Sequence, residues 1–340
     1  KIKALFSPIK MPENPAPVVA ETVPDNDEPI FVVDKDKEMQ FSIVNLMFKT
    51  DPIPDEIKGN MQYLVIDYLK DAAIGMLNDR LAEIRQQANP PFQSATGRAS
   101  TFFLSRTKEA FSMSISCKQE NILGGIITAV AAAERARQHG FTQSELDRAK
   151  SIYLNAAERR YNQRADNRNQ HYVNRCVQNF LSGEPLVSAD FEVENARKLN
   201  REVTLAEVNE AVKALITDQN QVAIMYAPDK ETVALPTEQQ IEDVILATQR
   251  QQYAPVPLSA PEGATIAEYV DSRIQAKTAE APSGTVEGAS IVSEQPWKHG
   301  FTELTLGNGM KVYVRQTDFS ANVVQLRMHA DGGTSGYGLD

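Results

Sequence analysis

Histidine is the first place to look for metal or acid–base chemistry, and the chain has four, at His139, His171, His299 and His329. A zinc cradle built on one helix needs two imidazoles across a three-residue gap, so that both project from the same face. No pair has that spacing. His139 precedes Gly140 at a predicted helix end, where an imidazole suits the last carbonyls and the helix dipole. His329 lies in Met328-His329-Ala330-Asp331-Gly332-Gly333, where a strand end becomes a turn, and one imidazole with one carboxylate falls short of a metal site.

Nucleophilic and phosphate chemistry are no better provided for. Serine, histidine and aspartate all occur, but a triad is defined by geometry, and no nucleophile-elbow signature is present. Gly332-Gly333 before Thr334-Ser335-Gly336 offers backbone donors without the Gly-rich pattern ending in Lys and Ser or Thr that cradles nucleotide phosphates. Arg159, Arg160, Arg164, Arg168 and Arg175, interleaved with Tyr161 and Tyr172, could grip an anion through bidentate bonds. With Asp166 and several amides among them, they read more readily as a solvated helical surface. Glu83 and Arg85 form no acid–base pair by spacing. The expectation is that the chain contributes no catalytic, cofactor-binding or metal-ligating residue of its own.

The elements that would position such residues follow from periodicity and punctuation. A length of 340 residues suggests about two units, and 42% hydrophobic with 24% charged residues is a globular composition. The net charge of -10 argues against a non-specific nucleic-acid surface. The most apolar runs, 111–117 and 122–133, are far short of the ~20 residues that cross a bilayer, so no membrane span is expected. Residues 1–6 lack the apolar stretch of a signal peptide. Cys117 continues the strand period of Phe111, Met113 and Ile115, and Cys176 follows Val173 by three on a helix, so both are read as core residues with a disulfide between them left open.

Residues 1–7 read as a helix end, followed by a proline-enforced extended stretch. Strands are predicted at 29–34, 39–48, 92–104 and 109–118, then a short one at 221–225. Between Phe111 and Cys117 the alternation is clean, with Ser112, Ser114 and Ser116 on the opposite face. An amphipathic helix is predicted from Asn60 to Arg85 and an Ala-rich one ends near His139-Gly140. Thr142 with Glu145, and Thr204 with Glu207, are capping boxes that start new helices. Further helices fall at 169–181, 191–199 and 238–250, with another at 266–275. Leu304–Leu306 and Met310–Val314 flank Gly307-Asn308-Gly309 as a hairpin, and 322–328 reads as a strand. The predicted class is α+β: a mixed, largely antiparallel sheet packed against several helices over 1–228, a partly helical linker over 229–300, and a truncated related domain over 301–340.

Three stretches, Met76-Leu77-Asn78-Asp79-Arg80-Leu81-Ala82-Glu83-Ile84-Arg85, Ala110-Phe111-Ser112-Met113-Ser114-Ile115 and Gly140-Phe141-Thr142-Gln143-Ser144-Glu145-Leu146-Asp147-Arg148-Ala149-Lys150, together resemble the pitrilysin and insulinase superfamily of zinc peptidases. They resemble the domain that follows the zinc-bearing one, over approximately residues 1–227. Phe301 to Val314 looks like the opening of another such domain. The resemblance implies a parent metalloendopeptidase whose zinc sits in an inverted His-x-x-Glu-His motif, with a downstream Glu, outside this segment. It implies a non-catalytic, chamber-forming role with peptide or unfolded polypeptide as substrate and the remaining domains as partners, or alternatively a structural or peptide-binding subunit without proteolysis. A bacterial periplasmic or envelope location also follows from the resemblance alone. No zinc ligand or base carries over to any residue here, because the motif is missing.

Overall fold

A computed structural model describes residues 1–10, 12–16, 19–229, 235–255, 290–317 and 326–327. The chain divides into two compact units, residues Lys1–Leu154 with Gln163–Pro257, and Asn155–Asn162 with Leu258–Asp340. The predicted helix at 266–275, the strand at 322–328 and His329 with its glycines lie outside the described residues, apart from positions 326 and 327, which lie in neither helix nor strand.

The first unit opens with α1 (Ile2–Phe6) and an extended run, then β1 (Ile30–Asp36), β2 (Ser42–Thr50), α2 (Asp55–Lys58), α3 (Met61–Arg85), β3 (Phe92–Thr101) and β4 (Glu109–Cys117). It continues through α4 (Ile122–His139), α5 (Gln143–Asn162), α6 (Asn169–Ser182), α7 (Ala189–Glu202), α8 (Leu205–Leu215), β5 (Gln221–Pro228) and α9 (Glu238–Gln249), with α5 running on past Leu154. The sheet order is β1-β5-β2-β4-β3, antiparallel throughout except for the β1–β5 pair. This is the mixed, largely antiparallel α+β architecture expected.

One sheet face carries the core. Val44, Leu46 and Phe48 of β2 stand beside Phe111, Met113 and Ile115 of β4, and Ala223 and Met225 of β5. All are buried with Met76, Leu77 and Leu81 of α3, Ile126 and Val130 of α4, and Val208 and Val212 of α8. Fully burying one such side chain contributes roughly 1.5–3 kcal/mol, so this cluster dominates the unit's stability. Ile241 and Ile245 of α9 enter the same cluster, so a helix read from sequence as part of the linker packs into the first core.

Local rules set the helix ends. Thr204 and Glu207 exchange both bonds of a capping box, as do Thr237 and Gln240. At the junction of α4 and α5, Gly140 takes φ 69°, and Thr142 and Glu145 bond reciprocally as predicted. Two cysteine expectations part here. Cys117 is fully buried, whereas Cys176 is exposed on α6, and both are free thiols. The apolar stripe that suggested a core position for Cys176 is real, but none of its residues is buried.

In the second unit, β6 (Ile291–Pro296), β7 (Thr302–Leu306) and β8 (Lys311–Val314) form an antiparallel sheet in that order. The predicted hairpin is β7–β8, closed by Leu306 N–H to the Met310 carbonyl at 2.9 Å, with Gly309 at φ 83°. Glu303 is buried and accepts from Gln295 and Lys311. β6 was not predicted, because its side chains are all exposed and show no alternation.

Candidate functional site

Helices α3, α4, α8 and α9 of the first unit pack with the core on one sheet face, and the other face of the same sheet has the makings of a binding surface. Its residues follow from the register. Ser94, Thr96 and Arg98 of β3 stand beside Ser116, Ser114 and Ser112 of β4. Those in turn face Ile43, Asn45 and Met47 of β2, and the rows continue to Tyr226, Ile224 and Val222 of β5. Small hydroxyl side chains, half-buried or exposed, occupy the β3–β4 part with the Arg98 guanidinium, and on β2 the half-buried Asn45 amide lies between Ile43 and the buried Met47. Such a surface offers donors and acceptors without bulk, and an extended chain could lie along it.

One end of this face is closed. Met47, Ala110 and Val222 form a small buried cluster beneath Phe102, and the Lys49 ammonium lies 5.7 Å from the Phe102 ring. An extended strap over residues 21–26 is fastened at that end. Lys49 Nζ donates to the Pro24 carbonyl, Thr107 Oγ1 accepts from Val23 N–H and donates to the Glu21 carbonyl, and Asn26 pairs with Asn220. Lys108, buried, reaches Asp25 at 2.7 Å and Asp51 at 2.6 Å. The hydrogen bond from Lys108 holds the Asp25 carboxyl below its ordinary value, outweighing desolvation, and the bonds that Lys108 donates to Asp25 and Asp51 raise its own ammonium.

On the packed side of the sheet, consecutive polar residues of α3 tie the helix to the β3 edge and to α5. Asn78 uses its amide on both backbone groups of Gly97, accepting from the N–H at 2.6 Å and donating to the carbonyl at 2.9 Å, and so occupies part of the β3 edge. Asp79 pairs with Arg148 of α5 at 3.4 Å. Arg80, buried, binds both oxygens of Glu145, at 2.7 and 2.9 Å, donates to the Gly140 carbonyl at 3.0 Å and lies 4.7 Å from the Phe141 ring. Burial pushes the Glu145 carboxyl up, but Arg80 and the bonds from Thr142 outweigh it and leave it below the ordinary glutamate value.

The remaining sequence candidates do not converge. His139 ends α4 and its Nε2 meets the Tyr253 carbonyl. His171 packs edge-on to Tyr172, and His299 sits at φ 59° in the turn before β7. Arg159 and Arg160 are exposed in the last turn of α5, while Arg175 donates to the Val187 carbonyl and pairs with Glu192 at 2.6 Å. On α3, desolvation and then Asp67 lift Asp71 to about 6. Among the described residues, no three His, Cys, Asp or Glu side chains gather in a way that could hold a metal ion. No described helix is long and apolar enough to cross a membrane.

Comparison with known proteins gives this surface a context. Residues 1–153 match the family described as the peptidase M16 inactive domain. The chain is 24% identical over 336 residues to a "Zinc protease PQQL-like" protein of Arabidopsis thaliana, covering 98% of this chain and 30% of that protein. The fold is shared with the periplasmic protease PqqL of Escherichia coli, at TM-score 0.61 and 18% identity, over 93% of this chain and 33% of that one. A structure of the first half of the same protease gives TM-score 0.62 and 19% identity, covering 75% of this chain and 54% of that one. The chain thus spans about a third of the length of the full relatives it matches.

Proposed function

Because the chain contains an insulinase/pitrilysin (M16) superfamily, zinc-peptidase-like domain of the inactive type, we propose that it is the non-catalytic, chamber-forming segment of a zinc metalloendopeptidase. In this reading the open face of the first sheet is a chamber wall, and its substrate is a peptide or an unfolded polypeptide. The observation that carries the reading is the grid of Ser94, Thr96, Ser112, Ser114, Ser116 and Asn45 opposite the packed face. A wall that must pass many sequences is served by short polar side chains, which can bond an extended backbone without demanding a particular side chain.

The described residues do not fit a zinc ion, so no step of hydrolysis is assigned to them. The metal and its base belong to another domain of the longer protein, which the chain's partial coverage of its relatives supports. Residues 291–340, with β6, β7 and β8 at their start, are the opening of a second peptidase-family domain, and the residues between α9 and β6 link it to the first, whose core includes α9. A bacterial envelope location is supported by the periplasmic relative.

The test is obstruction of the wall in the longer natural protein. Ser114→Trp with Asn45→Trp places two bulky rings on the open face and none in the core. The expected result is a fall of about tenfold in kcat/KM for long peptides, with zinc content and thermal stability unchanged. Unchanged cleavage of long peptides by a folded, zinc-loaded double variant would contradict the chamber-wall reading.

A further inference from the structure

Helices α1, α2 and α6 of the first unit have no buried residue, and α6, much the longest of the three, carries a complete apolar stripe. On α6, Tyr172, Val173, Cys176, Val177, Phe180 and Leu181 recur at the one- and four-residue steps that make a single stripe, and all six are exposed, Phe180 by 86%. They line an open groove of about 430 Å³. Arg175, the only charged residue of α6, is turned to the Val187 carbonyl and Glu192, so the stripe itself is free of charge. A well-formed apolar stripe on a helix with no buried residue is a packing surface without its partner.

The size of the stripe restricts what that partner can be. The stripe on this 14-residue helix offers six side chains. A stable association between separate molecules takes about 20–30 residues from each side. A face this small holds a partner only when that partner is already tethered, because a covalent link supplies the effective concentration that the contact area cannot. Chemically, the match for an uncharged stripe of this width is another apolar helix face, packed at about 8–10 Å between axes. This chain covers 54% of the solved first half of the related protease, so nearly as much chain again lies outside the match, enough for a further domain.

We infer that the Tyr172–Leu181 face of α6 is the seat of an apolar helix belonging to a further domain covalently joined to this chain. This rests on the reading of the chain as one segment of a longer peptidase. Cys176, a free thiol in the middle of the stripe, reports on the contact directly. Its companion Cys117 is buried, which pushes that thiol up to about 12 and keeps it unreactive, so within these 340 residues modification reads Cys176 alone.

The experiment compares Cys176 labelling by an aromatic disulfide reagent, followed by mass spectrometry, in the 340-residue chain and in the longer natural protein. The expected result is fast labelling in the chain, about a hundredfold slower labelling in the longer protein, and recovery of the fast rate in the longer protein carrying F180D. Equal rates in the two proteins would overturn the inference. So would concentration-dependent dimerisation of the chain that slows labelling and is lost in F180D, which would make the occupant a second copy. Slow labelling in the chain, relieved by deleting residues 256–289, would place the occupant within this chain and overturn it too. Peptide cleavage is measured on the same samples. Slow labelling in an inactive longer protein leaves the docking standing and refutes the peptidase reading, whereas fast labelling in an active one refutes only the docking.

Discussion

Replacing Arg80 by alanine should be among the most damaging single changes in the first unit. Arg80 binds both Glu145 oxygens, at 2.7 and 2.9 Å, and the Glu145 side chain is only 13% exposed. Removing one partner of a buried pair costs about 3–5 kcal/mol, because the other is left as an uncompensated buried charge. Glu145 would keep two bonds from Thr142, at 2.7 and 3.0 Å, which places the cost near the lower end, about 3 kcal/mol. In a unit of this size that is a loss of roughly 6–12 °C in Tm, read by calorimetry or circular dichroism. The pH dependence has a definite sign. The Glu145 carboxyl is lowered in the folded state, so its contribution is fully present above the ordinary glutamate value of 4.5 and is lost as pH falls through the folded value. The gap between wild type and Arg80→Ala should therefore narrow under acid. In Arg80→Ala with Glu145→Gln, part of the loss should return, because no charge is stranded. A loss below about 1 kcal/mol at neutral pH, with no coupling in the double variant, would refute the assignment of Arg80 as the tie between α3 and α5.

Other consequences are local. Gly97→Val should destabilise by about 1–3 kcal/mol in urea unfolding, since a Cβ there would stand 2.8 Å from the buried Phe111 ring. Thr204→Ala removes the hydroxyl that accepts from the Glu207 N–H, while the backbone N–H at 204 still donates to Glu207, and should cost about 1 kcal/mol by the same measurement, with the sheet unaffected. Lys108→Met should release the strap at Asp25, read as faster proteolysis within residues 19–28, while the core keeps its amide protection. Unaltered cleavage there would show that the bonds of Lys49, Thr107 and Asn220 suffice to hold it.

What the sequence disclosed and what it concealed divide along the range of the interactions. The alternation from Phe111 to Cys117 showed one buried and one open face of β4, and the register then added Asn45 and Thr96 to the serine row, which no single-strand pattern could do. The capping boxes at Thr142 and Thr204 are contacts over three residues and were readable. Asn78, Arg80 and Glu145 sat within the stretches that carried the family resemblance, yet their roles rest on partners 19 and 65 residues away. Cys176 was misplaced for a physical reason: an apolar stripe at helical spacing looks the same whether it faces a core or an empty seat. α2, with four residues, was too short to show a period.

The most direct test of the central claim pairs metal analysis with peptide cleavage, on the isolated chain and on the longer natural protein that contains it. The account predicts that the chain retains no stoichiometric zinc and leaves a broad peptide mixture intact with or without added zinc, while the longer protein cleaves the mixture and is stopped by a chelator. Tight one-to-one zinc binding with chelator-sensitive cleavage by the chain alone would contradict it.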